Sequence, residues 1–135
     1  MRKRPNHPTD ALSITKLAAA AALDRQAEDL AVYDVDELSG YADYFLLASG
    51  RSTRQTSAIA ERIERVLKKA GVKPLGVDGL KEGRWALLDF GDVVVHIFHR
   101  PVREFYDLDA LWADAPKLEL EPESLAELIP REEAR

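Results

Sequence analysis

Residues 84–98 read RWALLDFGDVVVHIF (Arg84–Phe98), two apolar runs meeting at the turn DFGD. Alternating apolar residues on either side of a glycine-bearing turn predict a β-hairpin. Pairing Leu88 with Val93 sets Asp89 opposite Asp92, Leu87 opposite Val94, Ala86 opposite Val95 and Trp85 opposite His96. Because side chains alternate along a strand, the hairpin then has two different faces. Leu88, Ala86, Val93, Val95 and Ile97 form a uniform aliphatic face suited to packing under a helix. Trp85, Leu87, Val94, His96 and Phe98 form the other, with Asp89 and Asp92 at its mouth. Phe90 falls in the loop beside Gly91, where an aromatic ring contributes nothing to turn formation.

The surrounding chain predicts a mixed sheet of about five strands flanked by helices, in the order α-β-β-α-β-β-β. An alanine-rich helix is expected from Ser13, placed as its cap, to Asp29, and a strand at Ala31–Val35. A turn at Ser39-Gly40 leads to a buried strand at Asp43–Gly50. Ser52 and Gln55 then form a capping box for an amphipathic helix lined by Ile59, Ile63, Val66, Leu67 and Ala70, ended by Gly71. A strand is expected around Lys73–Val77, and short helical turns in PVREFYDLDALW (Pro101–Trp112). Residues 1–11 read as a flexible basic arm, 12–112 as one domain, and 113–135 as an acidic, largely flexible tail in which Leu125, Leu128 and Ile129 could form a short amphipathic turn.

Composition excludes several classes of function. The 135 residues contain no cysteine, so disulfides, thiolate chemistry and cysteine–zinc sites are ruled out. No apolar run approaches the roughly 20 residues that span a bilayer. LAAAAAL (Leu17–Leu23) behind MRKR imitates a signal peptide, but Asp10 and the continuing helical pattern favour a helix of the domain. A cytoplasmic location is expected. The net charge is −5, with +2 in residues 1–10 and −3 in residues 116–135, so the body is acidic too. An acidic body argues against direct, phosphate-driven nucleic-acid binding, which needs clustered Lys and Arg, and no direct sequence-specific nucleic-acid binding is expected; it fits a basic partner, or simply solubility.

The Trp85 face combines an apolar centre with a charged rim, the composition of a binding surface. Trp85 reads equally well as core, Phe90 could fold back over the sheet edge, and the aspartates could cap turn amides. Enzymatic readings are weaker. Asp89 and Asp92 supply only two metal ligands, and His96 and His99 point to opposite faces of a strand. SGRSTR (Ser49–Arg54) resembles an anion site at a helix N-terminus but lacks the lysine and glycines of a phosphate loop. No metal or cofactor is expected.

Four stretches, YADYFLLASGRSTRQTSAIAERI (Tyr41–Ile63), PLGVDG (Pro74–Gly79), WALLDFGDVVVHIF (Trp85–Phe98) and REFYDLDALW (Arg103–Trp112), resemble in order and spacing the ribosomal silencing factor, or Iojap-like, family. The likeness spans about residues 12–112. It departs at His99-Arg100-Pro101, where many members carry acidic residues.

The resemblance implies a nucleotidyltransferase-like topology without a counterpart of the paired acidic motif of those enzymes. It implies a non-catalytic protein that binds the large ribosomal subunit at universal ribosomal protein L-fourteen, blocks joining of the small subunit and represses translation under starvation. The alternatives are a factor for large-subunit biogenesis or, less well supported, a nucleotide-binding enzyme. Family members can form homodimers when free. The resemblance places Trp85 and Phe90 in the partner-contacting region, with Phe90 as an anchor held at the hairpin tip. The flanking Asp89 and Asp92 would meet basic side chains of the partner, and Leu87, Gly91, Val94 and His96 of the same hairpin complete the expected partner-binding set.

Overall fold

In a computed structural model, described for residues 10–40 and 42–129, the fold is one mixed sheet with helices on both faces. Its elements are α1 (Ala11–Asp24), β1 (Glu28–Asp34), α2 (Asp36–Ser39), β2 (Tyr44–Gly50), α3 (Thr53–Lys69), β3 (Gly76–Asp78), β4 (Trp85–Asp89), β5 (Val93–His99), α4 (Arg100–Tyr106), α5 (Leu108–Leu111) and α6 (Pro122–Ala126). The strand order is β1-β2-β5-β4-β3. The β2–β5 pair is parallel and the other three pairs are antiparallel. The two central strands are covered on both faces, which is why they read as nearly unbroken apolar runs.

One face carries the larger core. Ala18 to Ala22 of α1 and Ile59, Ile63 and Leu67 of α3 pack there against Leu46, Leu88, Val93, Val95 and Ile97. Small alanines let α1 lie close to its neighbours. Asp10, not Ser13, caps α1: its carboxylate accepts a hydrogen bond of 2.7 Å from the Ser13 N–H. An aspartate on extended backbone just ahead of the helix outcompetes a serine inside it. The helix stops at Asp24, with Arg25 as its C-cap and Gln26 in a left-handed backbone conformation (φ 63°).

At the start of α3, Ser52 accepts from the Gln55 N–H as expected. The Gln55 amide oxygen accepts from the Arg51 N–H, and its NH2 donates to the Arg25 and Gln26 carbonyls. One side chain thus ties the end of α1 to the start of α3. Gly50 is required just before it: a β-carbon there would sit 2.4 Å from Thr56 Oγ1 and 2.8 Å from its backbone nitrogen.

The hairpin keeps both expected faces but not the expected register. Leu88 pairs with Val95, Leu87 with His96, Trp85 with Phe98 and Asp89 with Val94. The shift is two residues, so every side chain stays on its face. The loop is Gly91-Asp92, with Phe90 N–H donating to the Val93 carbonyl across its base. Gly91 has φ 92°, so the glycine holds the first loop position, as in a II′ turn. Phe90 is therefore the last residue of the hairpin arm, not its tip. It packs, half-buried, against the larger core. Asp89 and Asp92 are not opposed: Asp89 pairs with Val94, and Asp92 lies in the loop.

The segment after Trp112 is also packed rather than loose. Residues 116–118 run antiparallel along the outer edge of β1, with Asp34 N–H donating to the Pro116 carbonyl and Leu118 N–H to the Val32 carbonyl. Leu125 of α6 is 3% exposed and joins the core beside α1. A segment rich in Pro and Glu cannot build a core of its own, but its spaced leucines can complete one that already exists. Residues 1–9, most of the expected basic arm, lie outside the described residues, as do 130–135.

Leu125→Ala should destabilise the protein by about 2 kcal/mol. Urea unfolding checks this: an unchanged midpoint would return the segment to a loose tail.

Candidate partner-binding surface

The second face of the sheet carries a smaller, aromatic core. Phe45 and Leu47 of β2, Val94 and Phe98 of β5 and Tyr33 of β1 are buried there, with Trp85, Leu87, Val102, Leu108 and Trp112 packed around them. Among the described residues, α4, α5 and the chain near Trp112 and Ala115 pack over it.

Arg103 holds this thin cover in place. Its guanidinium forms a two-pronged bond to Asp109 (3.0 and 2.9 Å) and donates to the Asp29 carbonyl (2.7 Å) and Ser49 Oγ (3.0 Å). Tyr33 OH donates to the same Asp109 carboxylate at 2.8 Å. The hydrogen bond from Arg103 is the main cause holding the Asp109 carboxyl below the usual carboxylate range. Burial, then the bond to Asp109, pushes the Tyr33 hydroxyl up to about 12. Helices α4 and α5 are thus tied to β1 and β2 through one charged network.

Of the expected site residues, Trp85, Leu87 and Asp89 share this face on β4 and are half-buried, while Asp92 is exposed at the turn. Val94 and His96 lie on the same face but are 8% and 5% exposed. They form the floor under Trp85 and Leu87 rather than a contact surface. Phe90 lies on the opposite face. Asp89 accepts from the Gly91 N–H at 2.8 Å, so it caps the turn.

Trp85 sits over Phe98 and His96, with Tyr106 of α4 at 4.9 Å between ring centres. Its indole N–H donates to His96 Nδ1 at 3.1 Å. The only polar atom of the indole is therefore satisfied inward, and what remains exposed is apolar. His96 must be neutral to accept this bond, and burial pushes its pKa down to about 4. Its Nε2 has no partner among the described residues, so no carboxylate stabilises a charged form.

Two residues of this surface were not marked in the sequence. Phe105 is 80% exposed and Tyr106 52%, both on α4. Adjacent helical positions point about 100° apart, so a seven-residue helix on a sheet cannot bury both rings. A Phe-Tyr pair in a short helical turn was the available signal.

The hairpin end of the sheet is acidic, with Asp34, Asp36, Asp43 and Asp92 close together. Desolvation, then Asp36, Asp92 and Asp34, raises the Asp43 carboxyl above its usual range. Burial and Asp34, Asp43, Asp10 and Asp36 raise Tyr44 likewise. Among the described residues, no group of three His, Cys, Asp or Glu is arranged to hold a metal ion, and no helix is long and apolar enough to cross a membrane.

A family model described as "Ribosomal silencing factor during starvation" matches residues 8–135. A "Ribosomal silencing factor RsfS" of Bacillus subtilis is 45% identical over 109 residues, covering 81% of this chain and 92% of the relative. The chloroplastic protein Iojap of Arabidopsis thaliana is 35% identical over 111 residues, 82% of this chain and 46% of that protein. A crystal structure of a Chromobacterium violaceum protein superposes with a TM-score of 0.76 at 38% identity, covering 78% of this chain and 88% of the other.

The burial of His96 gives a pH dependence of stability. At neutral pH both folded and unfolded chains hold a neutral His96. As pH falls from 6.5 towards 4, the unfolded chain gains a proton that the folded one refuses, so stability drops, by up to about 3 kcal/mol. In urea titrations the stability of the parent relative to His96→Gln should decline through this window. A constant difference would show that His96 protonates as readily folded as unfolded. Arg103→Ala should cost about 2–3 kcal/mol, below the full value for a buried pair because Asp109 is a third exposed. Thermal melting at the parent's temperature would show that α4 is held by other contacts.

Proposed function

The chain belongs to the ribosomal silencing factor family, and from that premise we propose that it binds the large ribosomal subunit and sterically prevents the small subunit from joining. The proposed docking partner is universal ribosomal protein L-fourteen, and the proposed surface is the outer side of the second sheet face. Trp85, Leu87, Phe105 and Tyr106 form its apolar centre. Val94 and His96 support that centre from below, and Asp89, Gly91 and Asp92 form its rim. The action is one of occupancy in the cytoplasm, without a chemical step. In the absence of subunits, the same surface is open to a second copy of the chain.

One observation carries this reading: Trp85 is half-buried, its N–H is consumed internally by His96, and it adjoins the exposed Tyr106, against which the exposed Phe105 packs edge-on. A ring already fixed in orientation loses little entropy on binding, which suits a hot spot. The acidic end suits a basic ribosomal protein, and charges at such a rim chiefly steer and orient the encounter. Phe90 has no part in the centre of this surface, since its ring packs on the other side of the sheet.

Inhibition of subunit joining, read as the fraction of joined particles on sucrose gradients, tests the reading. Trp85→Ala should weaken binding to large subunits by about 2 kcal/mol or more, roughly thirtyfold. Because Trp85 also contacts the small core, Phe105→Ala provides the variant that leaves folding intact and should weaken binding in the same direction. Phe90→Ala should lower stability while sparing affinity. Parent-level inhibition by a folded Trp85→Ala, Phe105→Ala double variant would overturn the assignment.

A further inference from the structure

The end of the sheet opposite the acidic turn is built from four chain segments that the proposed docking surface does not use. They are residues 25–27 between α1 and β1, 51–54 at the start of α3, 80–84 before β4, and 99–101 at the junction of β5 with α4. Together they carry Arg25, Arg51, Arg54, Lys81, Arg84 and Arg100, against a single carboxylate, Glu82.

Backbone and side-chain contacts bring the segments together. Gln55 donates to the Arg25 carbonyl. Gly83 lies so close to Thr53 that a β-carbon would meet the Thr53 carbonyl at 2.1 Å. Ser57 Oγ donates to the Leu80 carbonyl, and His99 N–H donates to the Arg84 carbonyl.

Neighbouring acids offset only part of this charge. Glu28 pairs with Arg100 and, at 3.9 Å, with Arg51; Asp29 lies 3.6 Å from Arg100. Arg25, Arg54, Lys81 and Arg84 are exposed and form no ion pair among the described residues. Among the described residues these four cations thus stand without an ion pair, on a chain of net charge −5, and one of them, Arg84, directly precedes Trp85. The basic rim is continuous with the apolar surface.

We infer that this rim contacts the phosphate backbone of ribosomal RNA beside the protein on which Trp85 docks. The inference rests on the proposed docking to the large subunit. Phosphate suits the rim because five of its six cations are arginines, whose planar forks match phosphate oxygens two at a time. Such contacts are independent of base sequence. With acid at one end of the sheet and base at the other, protein and RNA would be met by opposite ends, and the bound orientation would be fixed by charge.

The test is the salt dependence of binding to purified large subunits, comparing the parent with Arg54→Gln, Arg84→Gln. Neither arginine has an ion-pair partner among the described residues, so the variant should melt like the parent. Each phosphate contact contributes about 0.9 to the slope of log affinity against log salt. The variant's slope should therefore be shallower by about 2, and the parent's advantage should shrink about tenfold between about 50 and 200 mM salt. Binding to isolated ribosomal protein L-fourteen should not distinguish the two. An unchanged slope on subunits, or an equal loss on the isolated protein, would overturn the RNA contact while leaving the docking surface standing. Failure of the parent to bind subunits at all would remove both, and loss on Trp85→Ala without loss on the arginine pair would leave docking alone.

Discussion

A single guanidinium keeps the second face of the sheet closed. The larger core is covered by two long helices and α6. The smaller core is covered by helical turns of seven and four residues, too short to be stable by themselves. Arg103 compensates by joining α4 to α5 through Asp109 and both to the sheet through Ser49 and the Asp29 carbonyl. The Arg103 guanidinium makes four hydrogen bonds in this network, and such bonding offsets the cost of taking a charge partly out of water.

This unequal covering is what makes the second face available for recognition. A long helix over β4 would have buried Trp85 and Leu87. A short one, held at its middle by Arg103, leaves β4 half-covered and turns Phe105 to solvent. His96 completes the arrangement. A neutral histidine between aromatic rings offers the buried acceptor that an indole N–H needs, and so fixes Trp85 without placing a charge in the core. Apolar contact area and prior orientation are thus created by the same interaction.

The net charge of −5 conceals a separation of charge along the strands. The parallel pair β2–β5 starts among Asp34, Asp36, Asp43 and Asp92 and ends among Arg51, Arg54, Arg84 and Arg100. Composition alone points to an acidic body. The chain positions of these residues are interleaved, so only the strand pairing sorts them by sign.

The sequence by itself determined the elements and their facing. Alternation in Trp85–Asp89 and Val93–His99 placed the aliphatic set on one side and the aromatic set on the other, and Ser52 with Gln55 marked the start of α3. These signals are local, carried by residues a few positions apart. What the tertiary structure alone decided is register, cover and exposure. Gly91 at the first loop position moved the pairing by two residues and turned Phe90 inward. Asp10 took the cap expected of Ser13, and Leu118 and Leu125 docked a segment whose composition suggests no structure. Whether Trp85 is core or surface depends on the length of α4 and on Arg103 meeting Asp109, Ser49 and Asp29. Those partners lie up to 74 residues away in the chain, and the energy that fixes them exists only once the strands are paired.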